Sequence, residues 1–253
     1  SGGKRICTSC GASPLAMSLA IICLIKCIGF EGESSLILSV VLRKVFFGAE
    51  QVSSKYGAFG RGFWGVWANL KMLEKGAAVV VCERDLGLGD RQIITDNSRK
   101  LYGQICSAWF GHPERKLKMI GVTGTNGKTT ITNVIKHILM KNGHKTGLVG
   151  TIQNEIGDEI VHTENTTPMA YDFMQLLAKM ADAGCEYVVM EVSSFGLCQY
   201  RIGASHFEIA VFTNLTQDHL DYHKTWENYF ESKKLLFKAC DCAVTNLDDE
   251  YGL

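Results

Sequence analysis

Lys128 and Thr129 stand where a glycine-rich turn gives way to a helical pattern, and that junction suits phosphate. The stretch Gly121-Val-Thr-Gly-Thr-Asn-Gly-Lys-Thr-Thr130 follows a short apolar run (Leu117, Met119, Ile120). It precedes Ile131, Val134, Ile135, Ile138 and Leu139, spaced as one face of a helix. Strand, glycine loop and helix together make a phosphate-binding loop credible. Glycines let the backbone turn and bring N–H groups close to oxygen atoms. The helix start adds unpaired donors and partial positive charge. Lys128 would supply charge to the outer phosphates, and the Thr129 hydroxyl could ligate magnesium. The general pattern wants a glycine where Val122 stands, so Gly124-Thr-Asn-Gly-Lys-Thr129 is a variant loop.

Three further clusters fall at strand ends or in the loops after them. Asn165-Thr-Thr-Pro168 is a polar turn before a helix. Glu191-Val-Ser-Ser194 closes an otherwise apolar strand, with Gln199 and Arg201 just beyond. A carboxylate in that position is costly unless it binds something, and magnesium beside a nucleotide is the obvious partner. A capping or salt-bridged glutamate is the plainer alternative. The last cluster, Thr213-Asn-Leu-Thr-Gln-Asp-His-Leu-Asp-Tyr-His223, gathers Asn214, Asp218, His219, Asp221 and His223. Beside Glu191 and the loop, these suggest metal or phosphate contacts, although His219 alone could be a structural histidine. Lys233 and Lys234 follow on a helix, where lysines are ordinarily solvated.

The elements that must position these groups alternate regularly after about residue 116. Strands are expected at 117–122, 146–150, 187–192, 209–212 and 242–246, and helices at 129–142, 168–183 and 226–238. Such alternation implies parallel βαβ units with active residues at the strand carboxyl ends. The fold class is therefore α/β: a phosphate-loop-containing parallel sheet flanked by helices, preceded by a smaller α/β domain. Gly111-His-Pro113 and Glu114-Arg-Lys116 read as the boundary, giving domains 1–116 and 117–253. Before it, residues 69–75 and 97–109 read as helices, 77–82 and 93–94 as strands, and 1–60 show no clean period.

Bulk properties exclude little but usefully. The 253 residues carry 26 basic and 26 acidic side chains, formal net charge zero, with no long basic block. No electrostatic nucleic-acid binder is expected. Ten cysteines in an ATP-using chain point to free thiols in a reducing cytosol, hence a cytoplasmic location. Cys7-x2-Cys10 and Cys23-x3-Cys27 have zinc-like spacing, but the second pair lies in the apolar run Leu19–Ile28, which reads as buried wall. The apolar stretch Leu15–Ile25, with Lys4 and Arg5 upstream, faintly resembles a signal peptide. It is too short to span a membrane.

Taken together, Thr123-Gly-Thr-Asn-Gly-Lys-Thr129, Asn165-Thr-Thr-Pro168, Glu191-Val-Ser-Ser194, Thr213–His223 and Tyr229-x3-Lys233 resemble the Mur ligase family, most closely its MurE type. The resemblance covers about residues 69 to 253. These are ATP-dependent amide ligases of peptidoglycan precursor synthesis. The resemblance implies addition of the third stem-peptide residue to UDP-N-acetylmuramoyl-L-alanyl-D-glutamate, with diaminopimelate or L-lysine as the amino acid, through an acyl phosphate. It implies an ATP site at Gly124, Thr125, Asn126, Gly127, Lys128, Thr129 and Thr130. Thr129 and Glu191 would hold a first magnesium and His219 a second, with Lys233 carbamylated as an anionic ligand. Thr166, Thr167, Ser193, Gln199 and Arg201 match positions that contact the UDP-sugar peptide. Folylpolyglutamate synthases share the chemistry but fit these motifs less well.

The chain departs from the family pattern in places. Phe195-Gly196 replace the usual His-Ala, which bears on substrate positioning. Leu42 stands where a uridine-contacting serine is expected, and a Gly-His-Asp-Phe-like stretch is missing around 59–67. The central domain is expected to be incomplete, and this chain alone is not expected to complete ligation. The alternative is a truncated, non-catalytic nucleotide-binding remnant, or, more remotely, a zinc or membrane-tethered interaction protein built on residues 1–30.

Overall fold

A computed structural model describes residues 79–218 and 220–252; of Leu220 only the backbone is described. The expected elements before residue 79, the zinc-like cysteines, Leu42 and the 59–67 stretch lie outside these residues, as does His219. The chain divides into two compact units, 1–102 and 103–253. In the first, β1 (Val80–Cys82) pairs in parallel with β2 (Gln92–Ile94). Helix α1 spans Ser98–Trp109.

The second unit is built on one seven-stranded sheet. In chain order its elements are β3 (Lys118–Thr123), α2 (Lys128–Lys141), β4 (Thr146–Val149), β5 (Asn154–Ile156), β6 (Glu159–Val161) and α3 (Ala170–Asp182). Then come β7 (Tyr187–Glu191), α4 (Ser194–Cys198), β8 (Phe207–Phe212), α5 (Leu220–His223), α6 (Trp226–Phe237) and β9 (Cys240–Val244). The strand order is β6-β5-β4-β7-β3-β8-β9. Apolar runs form the middle strands because both sheet faces are covered by helices. Ile120, Leu148 and Val189 make one buried cluster, packed by Ile135 and Leu139 of α2. Helix α3 buries Phe173, Met174, Leu177 and Met180. A second cluster joins Phe212, Leu215 and Tyr229.

The sheet is mixed rather than wholly parallel. β4, β7, β3, β8 and β9 are parallel, but β5 pairs antiparallel with both β4 and β6. A two-residue turn, Gly157-Asp158, with Gly157 at φ 63°, closes that hairpin. Helix α3 starts two residues later than expected: Pro168 precedes it and Met169 is its N-cap. Each other expected strand and helix from residue 92 onward lies within two residues of its observed bounds at either end.

Register sets the site. Val122 lies opposite Glu191, and Thr123 opposite Phe212, so the carboxyl ends of β3, β7 and β8 are level. The loops leaving them share one edge of the sheet, where open α/β sheets bind ligands.

Candidate phosphate and cation site

The loop between β3 and α2 needs its glycines. Gly124 has φ 141° and Gly127 φ 84°, and a Cβ added to Gly124 would lie 1.9 Å from Thr213 Oγ1. Gly127 is the N-cap of the 14-residue α2 and provides no side-chain cap. The helix therefore begins with backbone donors directed at the loop mouth, the arrangement that suits an anion.

The segment leaving β8 clamps this loop. Thr125 N donates to Asn214 O (2.9 Å) and Asn126 N to Asn214 Oδ1 (3.0 Å). Thr213 Oγ1 donates to Asn126 O (2.6 Å), and Asn126 Nδ2 to Thr216 Oγ1 (3.2 Å). Thr216 N donates to Thr125 Oγ1 (3.0 Å). Behind it, Asn246 Nδ2 donates to Thr213 O and Leu215 N to Asp249 Oδ2.

Two lysines meet on one carbonyl. Lys128 Nζ donates to Gly124 O (3.0 Å) and Thr125 O (2.8 Å), and Lys233 Nζ donates to Gly124 O (2.9 Å). Lys233 is 2% exposed and sits 4.4 Å from the centre of the Tyr229 ring. That tyrosine's hydroxyl is 3.2 Å from Thr125 Oγ1. Burial, then the neighbouring Lys128 cation, brings the Lys233 ammonium down to about 7, with Asp218 opposing. Burial also lowers Lys128, against the pull of Glu191 and Asp218.

Glu191 is 1% exposed at the end of β7. Its oxygens accept from Thr129 Oγ1 (both at 3.0 Å), from Thr151 N (2.9 Å) and from Thr151 Oγ1 (3.0 Å). No ion pair to this carboxylate occurs among the described residues; hydroxyl and amide donors hold it against the first turn of α2. Thr129 spends its proton on Glu191 and keeps lone pairs, and the carboxylate keeps further lone pairs of its own. Hydroxyl and carboxylate oxygens beside phosphate-binding amides are the donors a hard cation takes. The residues present therefore fit a nucleotide phosphate with magnesium. No cluster of three or more acidic, histidine or cysteine side chains poised for a metal occurs among the described residues.

The positions matched to the UDP-sugar peptide form a strip beside Glu191. Thr167 Oγ1 donates to Glu191 O (3.1 Å) and accepts from Ser193 N and Ser193 Oγ (both 3.0 Å). Arg201 Nη1 donates to Thr167 O (3.0 Å), while its Nε and Nη2 donate to Gln199 Oε1. Thr166 Oγ1 lies 3.0 Å from Thr151 Oγ1. The Thr213–His223 cluster separates into different jobs. Asn214 anchors the loop, and the Asp218 charge acts on both Lys128 and Lys233. His223 Nε2 meets Ser194 Oγ (2.9 Å) in the interior. Phe195 packs against Tyr222 with the rings tilted by 44° (4.3 Å between ring centres) and lies near His223 (5.8 Å). Two further residues belong to the site: Thr151, which sequence reading passed over, and Tyr229, which it quoted in a motif without a role. Tyr229 was visible in Tyr229-x3-Lys233, whereas Thr151 carried no motif signal.

Residues 122–253 match the Mur ligase middle domain. The UDP-N-acetylmuramoyl-L-alanyl-D-glutamate–2,6-diaminopimelate ligase of Clostridium botulinum is 48% identical over 187 residues, which is 72% of this chain and 39% of that protein. Its counterpart from Parabacteroides distasonis is 46% identical over 187 residues, 72% of this chain and 38% of its own. A solved structure of a ligase of the same name superposes with TM-score 0.64 at 33% identity, covering 74% of this chain and 38% of that one. The chain thus spans less than half the length of the curated relatives it matches. No described helix is long and apolar enough to cross a membrane. With its phosphate loop, its buried Glu191 and this match over residues 122–253, the chain belongs to the Mur ligase family.

Proposed function

We propose that the protein is, or is part of, a cytoplasmic ATP-dependent amide ligase of peptidoglycan precursor synthesis. It joins an amino acid to the D-glutamate end of UDP-N-acetylmuramoyl-L-alanyl-D-glutamate, and the names of its relatives favour 2,6-diaminopimelate. Residues 1–116 would form a domain for the UDP-substrate and 117–253 part of the ATP-binding domain. The observation that carries the reading is the meeting of Lys128, Lys233 and the Glu191–Thr129 pair around one glycine loop.

Each side chain has a defined task. The amides opening α2 and the Lys128 cation hold the nucleotide phosphates. Thr129 and Glu191 would hold magnesium, which when bound neutralises charge on the transferring phosphoryl group. Lys233, titrating near 7, is half neutral at that pH, so its nitrogen can attack carbon dioxide. The new N–C bond releases a proton to water and leaves an anionic carbamate in place of a cation. Thr166, Thr167, Ser193, Gln199 and Arg201 would orient the UDP-sugar peptide so that its carboxylate faces the phosphoryl group. Phosphoryl transfer makes that carboxylate an acyl phosphate; the incoming amine then displaces phosphate and forms the amide. His219 remains proposed as a ligand to a second magnesium.

The test is a calorimetric titration of the chain with magnesium-ATP, with Lys128→Ala beside it. Saturable, magnesium-dependent binding lost in the variant is expected. Absence of saturable binding, or equal binding in both, overturns the reading.

A further inference from the structure

The Glu191 carboxylate is aimed by two flanking threonines, and only one of them belongs to the phosphate loop. Thr151, two residues past β4, gives Glu191 two donors: its amide to Oε1 at 2.9 Å and its hydroxyl to Oε2 at 3.0 Å. Thr129 approaches the same two oxygens from α2. A carboxylate gripped on both oxygens from two elements cannot rotate without breaking hydrogen bonds to a charged acceptor, which are the stronger kind.

Proton counting extends the chain of contacts. Thr151 has one hydroxyl proton and two acceptors for it, Glu191 Oε2 and Thr166 Oγ1, both at 3.0 Å. Thr151 is the donor in both contacts, so the single proton is shared between the carboxylate and the neighbouring turn. One side chain therefore links the buried carboxylate to the neighbouring turn. Thr151 is itself exposed although its partner Glu191 is buried. It closes the open side of the carboxylate rather than filling the core.

We propose that Thr151 is a positioning residue: it fixes the orientation in which Glu191 is offered to a divalent cation beside the nucleotide. This rests on the reading of Glu191 and Thr129 as the cation-holding pair. Partners of this outer kind are typically worth about 10- to 100-fold in metal affinity.

The experiment titrates magnesium against a fixed concentration of ADP, following heat of binding, in the full chain and in Thr151→Val, Thr151→Ser and Lys128→Ala. Thr151→Val keeps the amide donor and the side-chain shape but removes the hydroxyl. The expected result is a rise of about tenfold in the magnesium concentration giving half-maximal binding. ADP affinity without magnesium stays within about twofold, and Thr151→Ser recovers the wild-type midpoint. Thr151→Ala reads the same quantity should valine not be accommodated. A purely structural role would instead lower the melting temperature and leave the magnesium midpoint unmoved. If Lys128→Ala abolishes binding while Thr151→Val keeps the wild-type midpoint, or if serine fails to rescue, the role of Thr151 falls and the nucleotide site stands. If the wild-type chain shows no magnesium-dependent ADP binding, both fall.

Discussion

The phosphate loop and the Asn165–Pro168 turn border the same carboxyl edge of the sheet, yet they are held in different ways. The loop is held largely through its backbone: Thr125 N, Asn126 N and Asn126 O all bond to Thr213 or Asn214. The turn is held through side chains: the Thr167 hydroxyl bridges Glu191 O and Ser193, and the Arg201 guanidinium reaches Thr167 O. A backbone-held loop has its shape written into its own glycines and into the partners that meet its amides and carbonyls, so those are the positions whose exchange moves it. A side-chain-held turn depends on three segments arriving together, and each bond can be removed singly. Changes in the loop should therefore strike ligand binding, whereas changes in the turn should strike stability first.

Gly124→Ala tests the first half most severely. The new methyl would lie 1.9 Å from Thr213 Oγ1 at φ 141°, so the loop must shift. Backbone strain alone costs about 1–3 kcal/mol, and with the clash we expect nucleotide affinity to fall by about a hundredfold or more. Unchanged affinity by calorimetry would mean that the clamp does not define the loop. Asn214→Ala is milder. It takes the Oδ1 acceptor from the exposed Asn126 N, a loss of about 0.5–1.5 kcal/mol, and about three- to tenfold weaker ADP binding should follow. The contrasting variant is Thr167→Val in the turn. Ser193 N loses its acceptor inside the structure, so urea unfolding should show about 1–3 kcal/mol less stability. ADP affinity should stay within about twofold; a drop as large as that of Asn214→Ala would erase the distinction between the two regions.

The same contrast explains what could be read from the sequence. Lys128, Thr129 and Glu191 were legible because a contiguous motif or a charge at the end of an apolar strand marks them. The central strands and helices were legible from apolar runs and helical spacing. The β5–β6 hairpin was missed because each strand is three residues long, too short to show a period. Its signal was the Gly157-Asp158 pair at the turn, which ordinarily reads as a hairpin connection. Thr151 was invisible because a lone threonine after a strand has no pattern, and its partners lie 15 and 40 positions away in the chain. The substrate strip came only from the family resemblance, since no local rule links Thr167 with Arg201. His223, grouped by sequence with metal or phosphate contacts, instead meets Ser194 Oγ in the interior.

The smallest expected effect concerns the charge that the loop shelters. Lys233 titrates near 7 in the folded protein but at its ordinary value, 10.5, when the chain unfolds. Between those values the unfolded state binds more protons than the folded state, so stability rises with pH. From pH 7 to 8 the gain should be about 1 kcal/mol, with Lys128 adding in the same direction because burial lowers it too. Nearer pH 9 the trend must weaken. Burial raises the Cys185 and Cys198 thiols above their ordinary 9.0, so the unfolded chain loses those protons first. Urea unfolding at pH 7.0, 7.5 and 8.0 in carbon-dioxide-free buffer measures the slope, and Lys233→Met should remove most of it. Thr167→Val, which removes no charge, should shift the whole curve down and keep its slope. If instead Lys233→Met retains the wild-type slope, the ammonium is not the group that the loop holds near neutrality, and Lys233 would not be available as an amine for carbon dioxide.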